Sequence, residues 1–260
     1  MRMIVLSKNI LNRLLGCEFD TNRCGKCFII DYQSCTNVTV IFQKPICIVK
    51  CSLSNLRKGQ VTNPILPRVY GVGFVGIGEY GYKDRKLYKL WNGMLERAYS
   101  SKLHKKHQTY ESVEVCKSWH NFQNFAEWCV TQEFFGRKDC YGRYYNLDKD
   151  ILVKGNKIYS PETCSFIPQE INTLLINGGK NRGDFPIGVH LVSSNHKFKA
   201  QLSCLGKRLG LGTFSTKDEA FQAYKKAKES YIKEVANKWR GQITPEVYES
   251  LMKWTIEATD

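Results

Sequence analysis

The chain has 260 residues, 42% of them hydrophobic, enough for packed cores and too many for wholesale disorder. Lys and Arg number 39 against 24 Asp and Glu, a formal charge of +15 that suits a polyanion, most often nucleic acid, although solubility alone also accounts for it. No apolar run reaches the ~18 residues of a membrane span, and the start, MRMIVLSKNILNRLLG, has polar breaks and no small-residue cleavage site, so neither a membrane nor a signal peptide is expected and a cytoplasmic location is.

Residues 24–52 read as short strands, CFIIDYQ, NVTVIFQK and ICIVKCS, rich in β-branched and aromatic residues and separated by polar breaks. A stretch with two prolines and six glycines follows, carrying one more strand around Tyr70 to Val75. Residues 1–78 are therefore expected to form a small β-barrel-like module. Six of the 11 cysteines fall in its first 51 residues. Cys24-x-x-Cys27 with Cys47-x-x-x-Cys51 has the outline of a four-thiolate zinc site. Yet Cys47 and Cys51 share a strand, which sets them ~13 Å apart. Unless a bulge or turn intervenes, one ion cannot hold both, so no zinc and buried, reduced thiols are expected.

Residues 79–179 have a different texture. Leu87, Leu90, Trp91, Met94, Leu95 and Ala98 recur at helical spacing, with Lys83, Arg85, Lys86, Lys89 and Arg97 on the other side. A polar loop with Lys102, His104, Lys105, Lys106 and His107 leads to a second helix in SWHNFQNFAEWCVTQEF, packed through Trp119, Phe122, Phe125, Ala126 and Cys129. Leu147 to Leu152 reads as a strand, Lys154-Gly155-Asn156-Lys157 as a turn and Tyr159 to Ile167 as a second strand. A helix then starts near Pro168, which completes a ββα outline.

Residues 180–260 begin with a basic linker, KNRGDFP, that holds Lys180 and Arg182. GVHLV, HKFKAQLSCLG and KRLGLGTF read as three antiparallel strands packed on a long helix. That helix is capped at Ser215 or Thr216 and has Ala220, Phe221, Tyr224, Ala227, Tyr231 and Val235 as its apolar stripe. A last helix opens at Thr244-Pro245. Alternation puts Phe198, Ala200, Leu202 and Cys204 on one face of the central strand and Lys197, Lys199, Gln201 and Ser203 on the other. In the next strand Leu209 and Leu211 face one way and Arg208, Gly210 and Gly212 the other. A solvated strand face would also be polar, but one bearing Lys, Arg, Gln and small glycines suits a nucleic-acid groove, since Arg and Lys reach guanine or phosphate and Gln can read adenine. His190 joins this group.

Two segments resemble known families. Gly188-Val189, the alternating HKFKAQL, Leu211-Gly212-x-Phe214 and Thr216-x-x-Glu219-Ala220-x-x-Ala223-Tyr224 resemble an Apetala-type (ethylene-response-factor-like) DNA-binding domain over about fifty residues. The resemblance implies a three-stranded sheet laid on the major groove of double-stranded DNA. Leu87, Tyr88 and Trp91, then Val113, Val115, Cys116, Trp119, Phe122 and Phe125, then Leu147 to Asn172 resemble phage proteins of the HNH-endonuclease-like group. That resemblance implies phage origin, action in the cytoplasm of an infected host cell, and Mg²⁺ held against a phosphate. A working HNH site has a His as general base on the first strand of the ββα unit. Here that position reads Asp148-Lys149-Asp150. Asp148, Asp150 and Asn172 are the candidate catalytic residues, with Asp148 and Asn172 the candidate metal ligands and His104, His107 and His120 the alternative bases. Weak nicking and binding without cleavage both stay open, and so does a non-enzymatic regulator or a protein that binds a host defence factor. The overall expectation is an α+β chain of a β-module, a ββα domain with extra helices and a sheet-on-helix DNA reader.

Overall fold

The alternation from Glu18 onward builds four strands, β1 (Glu18–Thr21), β2 (Gly25–Ser34), β3 (Asn37–Gln43) and β4 (Ile46–Cys51), paired antiparallel in sequence order. The computed structural model describes residues 13–175, 185–192, 196–204 and 206–260. The chain divides into two compact units, Met1–Cys129 and Val130–Asp260. Both mix helices with sheet, so the chain is α+β, and no described helix is long and apolar enough to cross a membrane.

In the first unit the four strands form an open meander, not the barrel expected. Four short strands are too few to close on themselves around a side-chain core. One face instead buries Cys27, Ile29, Tyr32, Val38, Val40, Phe42 and Cys47 against Leu53 and Leu56 of the short helix α1 (Leu53–Arg57). Cys24, Cys27 and Cys47 belong to this core, and every cysteine of the chain is a free thiol. Burial pushes the Cys27 thiol up to about 11 and raises those of Cys47 and Cys51.

The strand expected around Tyr70 reduces to single bridges, Val69 with Gly73 and Phe74 with Asn121. Helix α2 (Arg85–Tyr99) buries Leu87, Trp91, Met94, Leu95 and Ala98, five of the six residues of its stripe. The one-turn α3 (Ser101–His104) follows it, and then the short β5 (Glu114–Val115). The second expected helix starts late. Lys117–His120 is a 3₁₀ turn, Asn121 breaks it by bridging to Phe74, and α4 (Phe122–Thr131) carries on. Gln123 is buried at the start of α4, donating to Val75 O at 2.7 Å and Tyr80 O at 2.9 Å and accepting from Tyr80 N at 3.1 Å. It thereby satisfies three backbone groups of the glycine-rich segment.

In the second unit β6 (Asn146–Asp148) pairs antiparallel with β8 (Ser165–Ile167), and α5 (Gln169–Leu174) packs on β6. Both strands are shorter than the sequence suggests. Leu147–Leu152 ends as a strand at Asp148. Tyr159–Ile167 splits into β7 (Ile158–Tyr159) and β8, around a turn in which Cys164 N donates to Ser160 O at 3.0 Å.

Strands β9 (Val189–Val192), β10 (Lys197–Cys204) and β11 (Lys207–Phe214) form an antiparallel sheet with β10 in the middle. Helix α6 (Lys217–Lys238) packs behind it and opens with a reciprocal cap between Thr216 and Glu219. Its buried face holds Ala220, Phe221, Tyr224 and Val235 of the expected stripe and adds Ile232 and Ala236, while Ala227 and Tyr231 are only half-buried. Gly188 makes the packing close. It takes a φ of +75°, and the Tyr224 ring occupies the space a Cβ would need. Helix α7 (Pro245–Met252) is capped by Thr244, as its Thr-Pro start predicts.

Long-range bonds join the ββα elements to the helices that follow the sheet. Glu170 of α5 accepts from Lys238 Nζ at 2.6 Å and Trp239 Nε1 at 2.9 Å. Lys228 Nζ, its ammonium pKa lowered by burial, donates to Leu174 O at 2.7 Å. Tyr145 OH donates to Gln242 O at 3.0 Å, and Lys154 Nζ to Thr255 O at 2.8 Å. The segment expected at 79–179 thus contributes to both units, and its ββα part folds with residues 185–260.

Candidate nucleic-acid interface

Alternation along β10 places Ala200 and Leu202 against α6, where both are buried, and leaves Lys197, Lys199 and Ser203 exposed on the opposite face. The register assembles that face rung by rung, because residues directly opposite in an antiparallel pair share a side. Lys199 lies between His190 of β9 and Thr213 of β11. Gln201 lies opposite Gly210, and its N–H donates to Gly188 O at 2.9 Å, so glycines flank it on both sides. Ser203 lies opposite Arg208. The Lys199 side chain leans over Gly210, its Cε 3.9 Å from where a Cβ would stand.

The pairing is irregular between Ala200 and Gln201, where β11 carries one extra residue, Leu211. The bulge changes the expected faces of β11. Gly212 pairs with Ala200 and so turns toward the helix side, not the exposed face, with a φ of +126° that suits glycine. Thr213 takes its place beside Lys199. Lys197, Lys199, Gln201, Arg208 and His190 are thus brought onto one face; Lys180 and Arg182 lie outside the described residues. From Phe185 to Thr216 the chain contains Lys197, Lys199, Lys207 and Arg208 and no Asp or Glu, so every formal charge of this segment is positive.

The second candidate site is built differently. Asp148 ends β6 because its Oδ1 accepts from Asp150 N at 3.0 Å and from Ile151 N at 2.7 Å, a side-chain-to-backbone turn that competes with continued pairing. Burial, and then the nearby Asp150 carboxylate, push the Asp148 carboxyl up to about 6. Lys149 is buried beneath the turn. Its Nζ donates to Asn156 O at 3.0 Å and lies 3.3 Å from Asp150 Oδ2. Asn156 closes the loop by donating to Lys149 O and Ile158 O, each at 2.7 Å. Asn172 sits half-buried on α5.

Mg²⁺ takes an octahedron of oxygen ligands and is usually bound through one or two carboxylates with several waters. Here one Asp148 oxygen is committed to two backbone donors and Asp150 to Lys149. Among the described residues no group of three His, Cys, Asp or Glu side chains converges. These bonds make Asp148, Lys149 and Asp150 parts of a structural turn. The alternative bases belong to the first unit, where His104 Nε2 bonds Arg97 O at 2.8 Å, His107 packs on Tyr110 and His120 Nε2 bonds Tyr99 OH at 3.1 Å.

A further group of exposed cations and rings, Arg137, Lys138, Tyr141, Arg143 and Tyr144, has no counterpart among the expected site residues. Its signal in the sequence is the interleaving of basic and aromatic residues in GRKDCYGRYY. Comparison of the chain with protein-family models, with curated proteins and with solved structures returns no match.

Proposed function

We propose that the chain is a duplex-DNA-binding protein of phage HNH-endonuclease ancestry, in which the β9–β11 face reads the groove and the ββα elements contact DNA without cutting it efficiently. The observation that carries this reading is the exposed face of the sheet, where Lys197, Lys199, Arg208 and His190 surround Gln201 with no acidic residue near in sequence. Lysine and arginine there meet phosphate or guanine, while Gln201, flanked by glycines, can approach a base edge closely enough to make paired hydrogen bonds. The engagement of Asp148 by its own backbone favours holding over hydrolysis. A protein that holds DNA in this way acts as a regulator or as a block on a host defence factor.

The test is fluorescence anisotropy of the full chain on labelled duplex DNA from ~50 to ~200 mM salt. Three cationic contacts to phosphate give a log–log slope of about −2.7, and Lys199→Ala lowers its magnitude by about one. A flat salt response refutes the reading. Rapid, site-specific cleavage in Mg²⁺ or Mn²⁺ that Asp148→Ala abolishes refutes the part about holding.

A further inference from the structure

The segment Arg137–Tyr145 is a closed hairpin with one buried acid at its centre. Lys138 bridges to Tyr144, Tyr145 N donates to Arg137 O at 3.0 Å, and Asp139 N donates to Arg143 O at 2.8 Å. Gly142, at a φ of +75°, lets the chain reverse. The Asp139 side chain is wholly buried. Its Oδ1 accepts from Tyr141 N and Arg143 N, each at 2.9 Å, and its Oδ2 from Arg143 Nε at 2.8 Å. These bonds hold the Asp139 carboxyl below the usual carboxylate range despite its burial.

The cations and rings between Arg137 and Tyr144 face outward. Tyr141 is 73% exposed and Tyr144 51% exposed, the first among the most exposed large side chains described. The Arg143 guanidinium lies 4.9 Å from the Tyr141 ring centroid, and Lys138 Nζ lies 4.8 Å from that of Tyr144. Arg143 thus covers one face of Tyr141, and the high exposure of the ring leaves the other face to solvent. Lys238, held chiefly by Glu170, also lies within the electrostatic reach of Tyr141 and Cys140.

A rigid loop that displays rings backed by cations, with its only acid buried and paired, is what an unpaired nucleotide needs. Any base can stack on an aromatic face, and a preorganised platform loses little entropy on binding. A protein partner would also use Tyr and Arg, but Arg137, Lys138, Arg143 and Lys238 outnumber their carboxylate partners, Asp139 and Glu170, which favours a polyanion. We propose that this hairpin is a stacking site for unpaired bases of a nucleic-acid strand, with Tyr141 as the platform. The base lies on the open face of Tyr141, giving a base–tyrosine–guanidinium stack. The terminal amino groups of Arg143, whose Nε is taken by Asp139, and the Lys138 ammonium meet the flanking phosphates. The site is separate from the sheet face and does not depend on the duplex reading.

The experiment measures binding of the full chain to labelled oligo(dT) and oligo(U) of about 20 nucleotides, alongside a duplex, for wild type, Tyr141→Ala, Tyr141→Phe and Lys199→Ala. Tyr141→Ala weakens both single strands by about 5- to 150-fold, the range that base–aromatic stacking carries. Tyr141→Phe restores the binding, and 2-aminopurine placed in the strand is quenched by wild type and Tyr141→Phe but not by Tyr141→Ala. Equal weakening of both strands assigns the site to bases in general; loss confined to one assigns it to DNA or to RNA. Wild-type affinity in Tyr141→Ala, with an unchanged thermal melt, overturns the proposal, as does a loss that follows charge alone and leaves 2-aminopurine unquenched. Duplex binding weakened in Lys199→Ala with single-strand binding intact separates this site from the sheet, and failure of duplex binding alone leaves it standing.

Discussion

Replacing Asp148 by asparagine separates a structural carboxyl from a catalytic one. The amide keeps an oxygen for the N–H groups of Asp150 and Ile151 but carries no charge. The wild-type carboxyl is raised from 3.8 to about 6, first by burial and then by Asp150. The folded state therefore holds this proton more tightly than the unfolded state does. The stabilisation is complete below pH ~4 and is lost as pH rises through about 6. A rise of that size corresponds to ~3 kcal/mol at most. Lys149, 3.3 Å from Asp150, offsets part of the repulsion between the carboxylates, which brings the expectation to ~1–3 kcal/mol. Asp148→Asn should thus be more stable than wild type at pH 8, equal to it at pH 4, and melt higher at pH 8 by ~2–4 °C per kcal/mol. Calorimetry at pH 4, 6 and 8 measures this. If Asp148→Asn is less stable at pH 8 and a chelator erases the difference, a divalent cation sits on Asp148 and the structural reading fails.

Gly188→Ala places a Cβ into the Tyr224 ring at a φ of +75° and should cost on the order of 3 kcal/mol, read as a large fall in melting temperature; near-wild-type stability would mean that the sheet and α6 pack more loosely than described. Gln201→Ala should blur preference at particular base pairs in a binding-site selection, whereas Lys199→Ala should lower affinity evenly; an unchanged profile for Gln201→Ala rules the sheet face out as the reader. At pH 8 a maleimide should label the exposed Cys35 and Cys140 quickly and Cys27, its thiol at about 11, only after unfolding, as mass mapping of modified peptides would record.

Elements with a clean period are legible in the sequence. The α2 stripe, the alternation of β10 and the Thr244-Pro245 start all appear where the spacing puts them, because one buried face selects one periodicity. What is not legible depends on local competition or distant partners. Asp148 lies in a run that reads as strand, yet its short side chain captures two backbone donors and ends the pairing. One extra residue at Leu211 turns Gly212 from the exposed face to the helix side, a change that composition does not announce. The hairpin around Asp139 looks like an ordinary polar turn until the burial of that one carboxyl shows which side chains it forces outward.

The bonds from Glu170 to Lys238 and Trp239 and from Lys228 to Leu174 bear on how this chain can be cut and recombined. A fragment starting near residue 180 would keep the whole sheet and α6 yet lose Glu170 and Leu174, which leaves the buried Trp239 indole and the Lys228 ammonium without their acceptors. The sheet is therefore not a cassette. A graft onto another protein has to begin near Val130 and bring the ββα elements with it, and exchanging the sheet between relatives should succeed only when both ends of these ties travel together.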